Sequence, residues 1–133
     1  MTFALDANTI SYILRADDRV VERYRQESMN GNEFAIPPIA FYEVQRGLLA
    51  KGLFARKRVF DAFCMKVPIG ELSHPVLLKA AEIYATLKQQ GKLIGDGDIL
   101  IAAFCLTNDF VLVTNNTRHF TNIEGLQLAN WKE

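Results

Sequence analysis

The stretch L-I-G-D-G-D-I-L-I-A-A-F-C-L, residues 93–106, places two acids among glycines directly before eight consecutive apolar residues. An apolar run of this length suits a buried strand or a buried helix, and periodicity alone does not separate them. Ala102 and Ala103 at its centre favour a helix, because alanine is a strong helix former and is poor in strands. A helix that is apolar on every face belongs in the interior. The stretch therefore predicts a central buried helix whose N-terminal end carries Asp96 and Asp98.

The two acids have a purely structural interpretation. A carboxylate at the start of a helix accepts hydrogen bonds from free N–H groups and faces the positive end of the helix dipole, a stabilisation of about 0.3–2 kcal/mol. One aspartate suffices for this, so the second prompts a search for partner residues elsewhere in the chain.

Length and composition predict one folded domain spanning residues 1–133. Half of the 133 residues are hydrophobic, enough for a sizeable core. The 15 basic and 15 acidic side chains cancel, which excludes a uniformly basic nucleic-acid-binding protein but not a local sorting of charge. No apolar run approaches the ~20 residues of a membrane span, so no membrane association is expected.

Two features predict a cytoplasmic protein. Met1 is followed by T-F-A-L-D, which indicates a strand rather than a signal peptide. Cys64 and Cys105 both lie in apolar contexts, so they are expected to be reduced core thiols rather than a disulfide framework.

Apolar patterns predict strands that alternate with helices, hence a parallel sheet covered on both faces, a three-layer α/β sandwich. The predicted strands are residues 3–5, 33–36, 66–69, 110–114 and 126–128. The predicted helices are residues 10–14, 19–29, 40–50, 54–65, one that starts at Ser73-His74-Pro75, and the central helix. The residues expected to face inward from the fourth and fifth helices are Val59, Phe60, Phe63, Cys64, Val76, Leu77, Ala80, Ile83, Tyr84 and Leu87.

Four polar residues are predicted to meet at one edge of this sheet, because ligands bind at the carboxyl ends of parallel strands. Asp6 follows the first strand, Glu43 lies in the helix after the second, and Asn116 follows the fourth. Asp98 opens the helix that leads into the fourth strand, which returns it to the same edge. Four separate segments converging in this way exceed what helix capping requires.

Clustered carboxylates imply a cation. Two carboxylates ~4 Å apart repel by about 4 kcal/mol at an effective dielectric near 20, so such a cluster needs raised pKa values or a bound metal. Oxygen ligands favour Mg²⁺ or Mn²⁺ over zinc, and His74 and His119 have no metal-ligand spacing. No glycine-rich phosphate-binding motif is present. A carboxylate-bound Mg²⁺ most often activates water and binds phosphate.

Four segments resemble those of the PIN-domain ribonuclease family, in particular the VapC-type toxins of bacterial toxin–antitoxin pairs: L-D-A-N-T-I-S, E-V-Q-R-G, I-G-D-G-D-I-L-I-A-A and L-V-T-N-N-T-R-H-F. They span nearly the whole chain in family order and spacing. The resemblance implies a five-stranded parallel sheet in the order 3-2-1-4-5 and a Mg²⁺-dependent endoribonuclease, with Mn²⁺ as a substitute ion, that cleaves structured RNA, often tRNA. It also implies a cognate antitoxin, usually of the VapB type, whose tail blocks the site, and a homodimer.

Matched residue by residue, the resemblance assigns metal binding and catalysis to Asp6, Glu43 and Asp98. Asn116 falls where many members carry a fourth acid. Its neutral amide holds Mg²⁺ more weakly, so one ion and two ions both stay open.

Further residues match supporting positions. Thr114 matches a hydroxyl near the metal, and Asn8 matches an asparagine that orients the first acid, whereas Ala7 departs from the threonine common there. Asp96 matches no required acid and is interpreted as the helix cap, with assistance to the site as the alternative.

Basic residues near the predicted edge are candidates for RNA contacts. Arg46, Arg118 and His119 are expected to bind RNA phosphates. The run Arg56-Lys57-Arg58 with Lys51 nearby is usually a solvated helix face, and contact with RNA or the antitoxin is the alternative. The third and fourth helices could also form a groove for an amphipathic antitoxin helix, although Phe54, Phe60 and Phe63 are core residues by default.

Simpler interpretations exist for each residue alone. Asp6 resembles a strand-end turn residue, Glu43 a solvated helix acid and Asn116 a turn residue. Haloacid-dehalogenase phosphatases begin with a D-x-D-x-T motif close to D-A-N-T, but Asn8 replaces their general acid. A phosphoaccepting receiver domain would end its third strand in aspartate, where this chain has Pro68-Ile69-Gly70. A non-catalytic binding module with an acidic edge is the remaining alternative.

Overall fold

A computed structural model describes residues 1–133, in which four strands alternate with six helices. In chain order the elements are β1 (Thr2–Leu5), α1 (Ala7–Leu14), α2 (Asp18–Met29), β2 (Glu33–Ala35), α3 (Pro38–Ala50), α4 (Phe54–Lys66), α5 (His74–Gln89), α6 (Asp96–Asn108), β3 (Val111–Val113), a 3₁₀ helix (Thr117–Phe120) and β4 (Leu128–Ala129).

The four strands form one parallel sheet in the order β2-β1-β3-β4. In β1 and β3 successive residues are buried although their side chains point to opposite faces, so both faces of the sheet are covered. The predicted α/β class and parallel sheet are confirmed. The carboxyl ends of β1 and β3 are adjacent at the centre of the sheet, through the pair Leu5 and Val113.

The prediction of a third strand at residues 66–69, among five strands in all, is wrong, since only one parallel bridge forms there, between Ile36 and Ile69. The Ile36 amide donates to the Pro68 carbonyl and the Gly70 amide donates to the Ile36 carbonyl. Continuing this ladder in either direction would require an N–H at Pro68 or at Pro38, and proline has none. The bridge lies beside β2, where the predicted order placed the third strand.

Helix α6 is the predicted central helix. Six of its residues are buried: Ile99, Ile101, Ala102, Ala103, Phe104 and Cys105. The interpretation of Asp96 as its cap is wrong, because Gly95 occupies the N-cap position and no side chain caps the helix. Asp96 and Asp98 both lie in the first turn, where their charges face the positive end of the helix dipole.

Two helices present apolar side chains outward that the sequence pattern had placed in the core. Val59 of α4 and Leu77 and Tyr84 of α5 are exposed. Helical periodicity defines which residues share a face, but a neighbouring element must be present to cover the edges of that face. The other inward residues of α5, among them Val76 and Leu87, are buried as predicted.

The last residues of the chain pack back onto the core. Trp131 is 2% exposed and its ring lies 5.6 Å from that of Phe3. Lys132 forms an ion pair with Asp17, the N-cap residue of α2. Both cysteines are free thiols, as predicted. None of the helices combines the length and the apolar character that a membrane-spanning helix needs.

Candidate functional site

Asp6 lies at the carboxyl end of β1 and is almost completely buried, with 6% of its surface exposed. It caps α1, since its Oδ1 accepts a hydrogen bond of 2.8 Å from the Ala7 amide. Its Oδ2 accepts a hydrogen bond of 2.7 Å from the Thr114 hydroxyl, at the end of β3. Burial raises the pKa of Asp6, and the hydrogen bonds from Thr114 and Ala7 oppose that rise. The two hydrogen bonds therefore hold the Asp6 side chain in place, although burial removes water that would solvate its charged form.

Glu43 of α3 approaches the first turn of α6. Its Oε2 lies 3.9 Å from the point that a Cβ on Gly97 would occupy, so the carboxylate packs beside the residue between the two aspartates. Burial raises the pKa of Glu43, the charge of Asp6 raises it further, and Asp98 adds to the effect, while Arg46 opposes it. Asp98 also raises the pKa of Asp6. Asp6, Glu43 and Asp98 thus lie within electrostatic range of one another at one edge of the sheet.

Thr114 and Asn116 form one network with Asp6. The backbone N–H of Asn116 donates a hydrogen bond of 3.0 Å to Thr114 Oγ1, and the Thr114 hydroxyl in turn donates to Asp6. The Thr114 amide donates to the Ala129 carbonyl of β4. Thr114 is fully buried, whereas Asn116 is exposed. Thr114 is therefore the residue that orients Asp6.

Asn8 has a different position from the one expected. Its Oδ1 accepts a hydrogen bond of 3.2 Å from the backbone N–H of Asn115. It therefore fixes the loop after β3 rather than orienting the first acid directly. That distinction depends on the path of the loop, which residue spacing does not define.

His119 was expected to contact RNA, and the structure places it against the acids. Its Nδ1 lies 3.1 Å from Asp98 Oδ2. The contact arises because residues after β3 turn into a 3₁₀ helix, which directs residue 119 back toward the start of α6. Of the other basic candidates, Arg118 is exposed and Arg46 stacks over the ring of Tyr42 at 5.1 Å. Asp96 is exposed on the first turn of α6.

A cleft of about 340 Å³ extends from Glu43 along α1 and α3. Basic side chains line it at Arg15, Lys51 and Arg56. Sequence reasoning missed Arg15, although the spacing of Asn8, Ser11 and Arg15 along α1 puts the three on one helix face. The cleft therefore connects the acidic site at Glu43 with a positive flank formed by Arg15, Lys51 and Arg56.

The donor set fits a hard divalent cation. Carboxylates and the Thr114 hydroxyl offer oxygen atoms, the ligands that Mg²⁺ prefers. No three His, Cys, Asp or Glu side chains lie close enough together to hold a metal ion by themselves, so water molecules would have to supply much of the ligand shell. The raised pKa values of Asp6 and Glu43 support the fit, because a cation would stabilise the carboxylate forms that burial destabilises.

The chain is similar in sequence and in fold to several known proteins. Ribonuclease VapC2 of Rickettsia felis is 29% identical over 98% of both chains. The tRNA(fMet)-specific endonuclease VapC of Shigella flexneri is 25% identical, again over 98% of both. A solved structure of VapBC2 from Rickettsia felis bound to a DNA fragment from its promoter contains a chain that superposes with a TM-score of 0.90 at 29% identity, covering 98% of this chain and 99% of that one. Residues 3–126 match the PIN domain family, and the chain belongs to that family.

Proposed function

We propose that this protein is a Mg²⁺-dependent endoribonuclease, the toxin of a toxin–antitoxin pair, and that Asp6, Glu43 and Asp98 form its active site. One observation supports the proposal: three acids from separate segments lie within electrostatic range of one another at the carboxyl edge of the sheet, and the charges of Asp6 and Asp98 raise the pKa of Glu43. Without a bound cation, the repulsion between the three carboxylates would destabilise the folded protein and nothing would offset it.

The residues of the chain have distinct roles in the proposed reaction. Asp6, Glu43 and Asp98 would hold Mg²⁺, for which Mn²⁺ can substitute, directly or through water. When bound, the ion lowers the pKa of the attacking water and neutralises charge on the phosphate. Thr114 holds Asp6 in place with its hydroxyl.

The proposed chemistry is hydrolysis of a phosphodiester. Water attacks phosphorus in line with the leaving 3′ oxygen, the P–O3′ bond breaks, and the 3′ oxygen takes up a proton. The products are a 5′-phosphate and a 3′-hydroxyl. The free N–H groups of the first turn of α6 can donate to a phosphate oxygen, since no side chain caps them.

Structured RNA, with tRNA as the leading class, is the proposed substrate. The Shigella flexneri relative is named as an endonuclease specific for tRNA(fMet), which supports tRNA without specifying which tRNA. Arg46 and Arg118 would bind phosphates outside the cleavage site. Arg15, Lys51 and Arg56 extend this positive flank along the cleft.

The proposed protein partner is an antitoxin of the VapB type. Next to the basic cleft, Leu14, Leu53, Phe54 and Val59 line an open apolar groove between α1 and α4. An amphipathic helix could bury its apolar face there. The chain of known structure that superposes on this one was solved as VapBC2, which supports such a complex.

We also propose a homodimer, supported by the exposed apolar residues of α5. A cytoplasmic location agrees with two free thiols.

Cleavage of a tRNA pool by the purified chain tests the function. The wild-type protein should cut with Mg²⁺ and stop with EDTA, and Asp98→Asn should lower the rate at least about 100-fold, the low end for an acid–base or electrostatic group. Asp96→Asn is the matched control, because it removes an equal charge two residues away in the same helical turn, and it should retain activity. Normal cutting by folded Asp98→Asn would overturn the assignment.

A binding module with an inert acidic edge gives a different result. It would show no heat on titration with Mg²⁺ and no rise in melting temperature, whereas a specific ion site shows both.

A further inference from the structure

His119 contacts Asp98 of the acidic site although no sequence spacing marks it as a ligand. Its Nδ1 is 3.1 Å from Asp98 Oδ2, and 57% of the His119 side chain and 31% of the Asp98 side chain are exposed. The charge of His119 also opposes the rise in the pKa of Asp6, so the imidazole lies within electrostatic range of a second acid. No other imidazole is near, since His74 is at the start of α5.

The separation of the two atoms is compatible with shared coordination. Adjacent ligands of an octahedral ion with bonds of about 2.1 Å are about 3 Å apart. The Nδ1 and Oδ2 atoms are already at this separation. Asn116, which precedes His119 in the same turn, brings no charge, so His119 is the residue of that turn able to add a strong donor to the carboxylates.

We propose that His119 is a nitrogen ligand of the divalent-ion site and shifts its preference from Mg²⁺ toward Mn²⁺. This inference rests on the proposed metal site. Imidazole suits transition-metal dications, while Mg²⁺ favours an all-oxygen shell, so one nitrogen ligand strengthens Mn²⁺ binding more than Mg²⁺ binding. The site is then a mixed oxygen and nitrogen site rather than a purely carboxylate one.

Pulsed electron paramagnetic resonance of the Mn²⁺-loaded chain tests the ligand directly. Coupling of the bound Mn²⁺ to a ¹⁴N nucleus should be present in the wild-type protein and in His74→Gln, and absent in His119→Gln. Because the sequence contains only two histidines, this pair of variants assigns the nitrogen without isotope labelling. A spectrum without directly bound nitrogen in the wild-type protein would overturn the proposal and leave His119 as a residue that orients Asp98 by hydrogen bonding.

Calorimetric titration supplies the second measurement. His119→Gln should lose at least about tenfold in Mn²⁺ affinity, the lower bound for loss of even an outer-sphere partner, and clearly less in Mg²⁺ affinity. The ratio of the two affinities is the quantity to compare, since a general disturbance of Asp98 would weaken both ions alike. An unchanged ratio would contradict the proposal.

The inference and the proposed function fail in different ways. RNA cleavage without a nitrogen signal leaves the ribonuclease proposal standing and refutes the ligand. A nitrogen signal without RNA cleavage establishes the ligand and refutes the substrate. Absence of Mn²⁺ binding at millimolar concentration refutes the ligand and the metal site together.

Discussion

At the scale of single residues, the buried carboxylate of Asp6 lowers the stability of the folded protein. Asp6 keeps a carboxylate in a position that is almost dry, and burial outweighs the two hydrogen bonds in setting its pKa. A group whose folded pKa is raised above its unfolded value destabilises the charged folded state. In the proposed function this cost is offset when the same carboxylate binds a cation.

Asp6→Asn should therefore melt higher than the wild-type protein in EDTA near pH 7.5, by on the order of 3 °C. The destabilisation from Asp6 is fully present above its raised folded pKa and fades as pH falls through that value toward 3.8, its unfolded value. The difference in melting temperature should accordingly shrink on acidification. Melting curves followed by circular dichroism from pH 7.5 to 4 measure it.

Asp17→Asn is the matched control, with the opposite sign. Hydrogen bonding from Lys132 lowers the pKa of Asp17, so its charged form stabilises the fold above the unfolded pKa and the benefit is lost as pH falls. This variant should melt lower than the wild-type protein at pH 7.5. A lower melting temperature for Asp6→Asn as well, or a pH-independent difference, would contradict the interpretation of the buried site.

At the scale of elements, Gly70 joins the short segment after α4 to the central helix. A Cβ at this position would lie 2.2 Å from ring atoms of Phe104. Phe104 is buried and its ring packs edge-on against Phe110, so it has little room to move. The glycine permits close packing here because it lacks a side chain.

Gly70→Ala should consequently destabilise the protein by about 1–3 kcal/mol, the usual cost of overpacking a core. Gly47→Ala is the control: Gly47 is helical, and a Cβ there meets nothing within 4 Å. That substitution should stabilise the protein by about 0.5–1 kcal/mol, because alanine has the higher helix propensity. Urea unfolding of both variants measures the two changes. Equal stabilities would show that Phe104 moves aside freely.

Much of the fold could be predicted at this scale. Six helices were predicted and correspond to α1–α6, and α5 begins at its predicted start, where Ser73 is the N-cap. The missing strand could not be deduced, because the effect of Pro38 and Pro68 depends on which backbone groups the register brings opposite one another. The exposed residues of α5 escaped prediction since periodicity does not reveal whether a partner covers the face.

The site was predictable only in part, for a related reason. The rule that ligands gather at the carboxyl ends of strands located Asp6, Glu43 and Asp98 from sequence. The contact between His119 and Asp98 depends on a 3₁₀ turn, which leaves little trace in apolar periodicity.

At the scale of the whole molecule, a formal charge of zero conceals a separation of charge. Acids gather at the sheet edge, and Arg15, Lys51 and Arg56 line the adjoining cleft. In the proposed function, an RNA backbone would be attracted by this basic surface while one of its phosphates reaches the proposed cation site. The local distribution of charge, and not the net charge, would then favour RNA as the partner.

The exposed face of α5 leads to a prediction about assembly. Leu77 and Leu78 are 48% and 55% exposed. If this face joins two copies, the wild-type chain should scatter light as twice its 15.0 kDa mass, and Leu77→Asp/Leu78→Asp should scatter as a monomer. Met29→Asp, at an exposed apolar residue of α2, should remain dimeric. A wild-type monomer, or a double variant that stays dimeric, would contradict this interface.

The hydrogen bond from the Thr114 backbone amide to the Ala129 carbonyl has a consequence for folding. Asp6 lies early in the sequence, yet Thr114, whose hydroxyl orients it, is held in place by β4, a segment far along the chain. The geometry around Asp6 is therefore complete only when β1, β3 and β4 have all paired. A partly folded chain would lack the Asp6 orientation that the proposed cleavage requires.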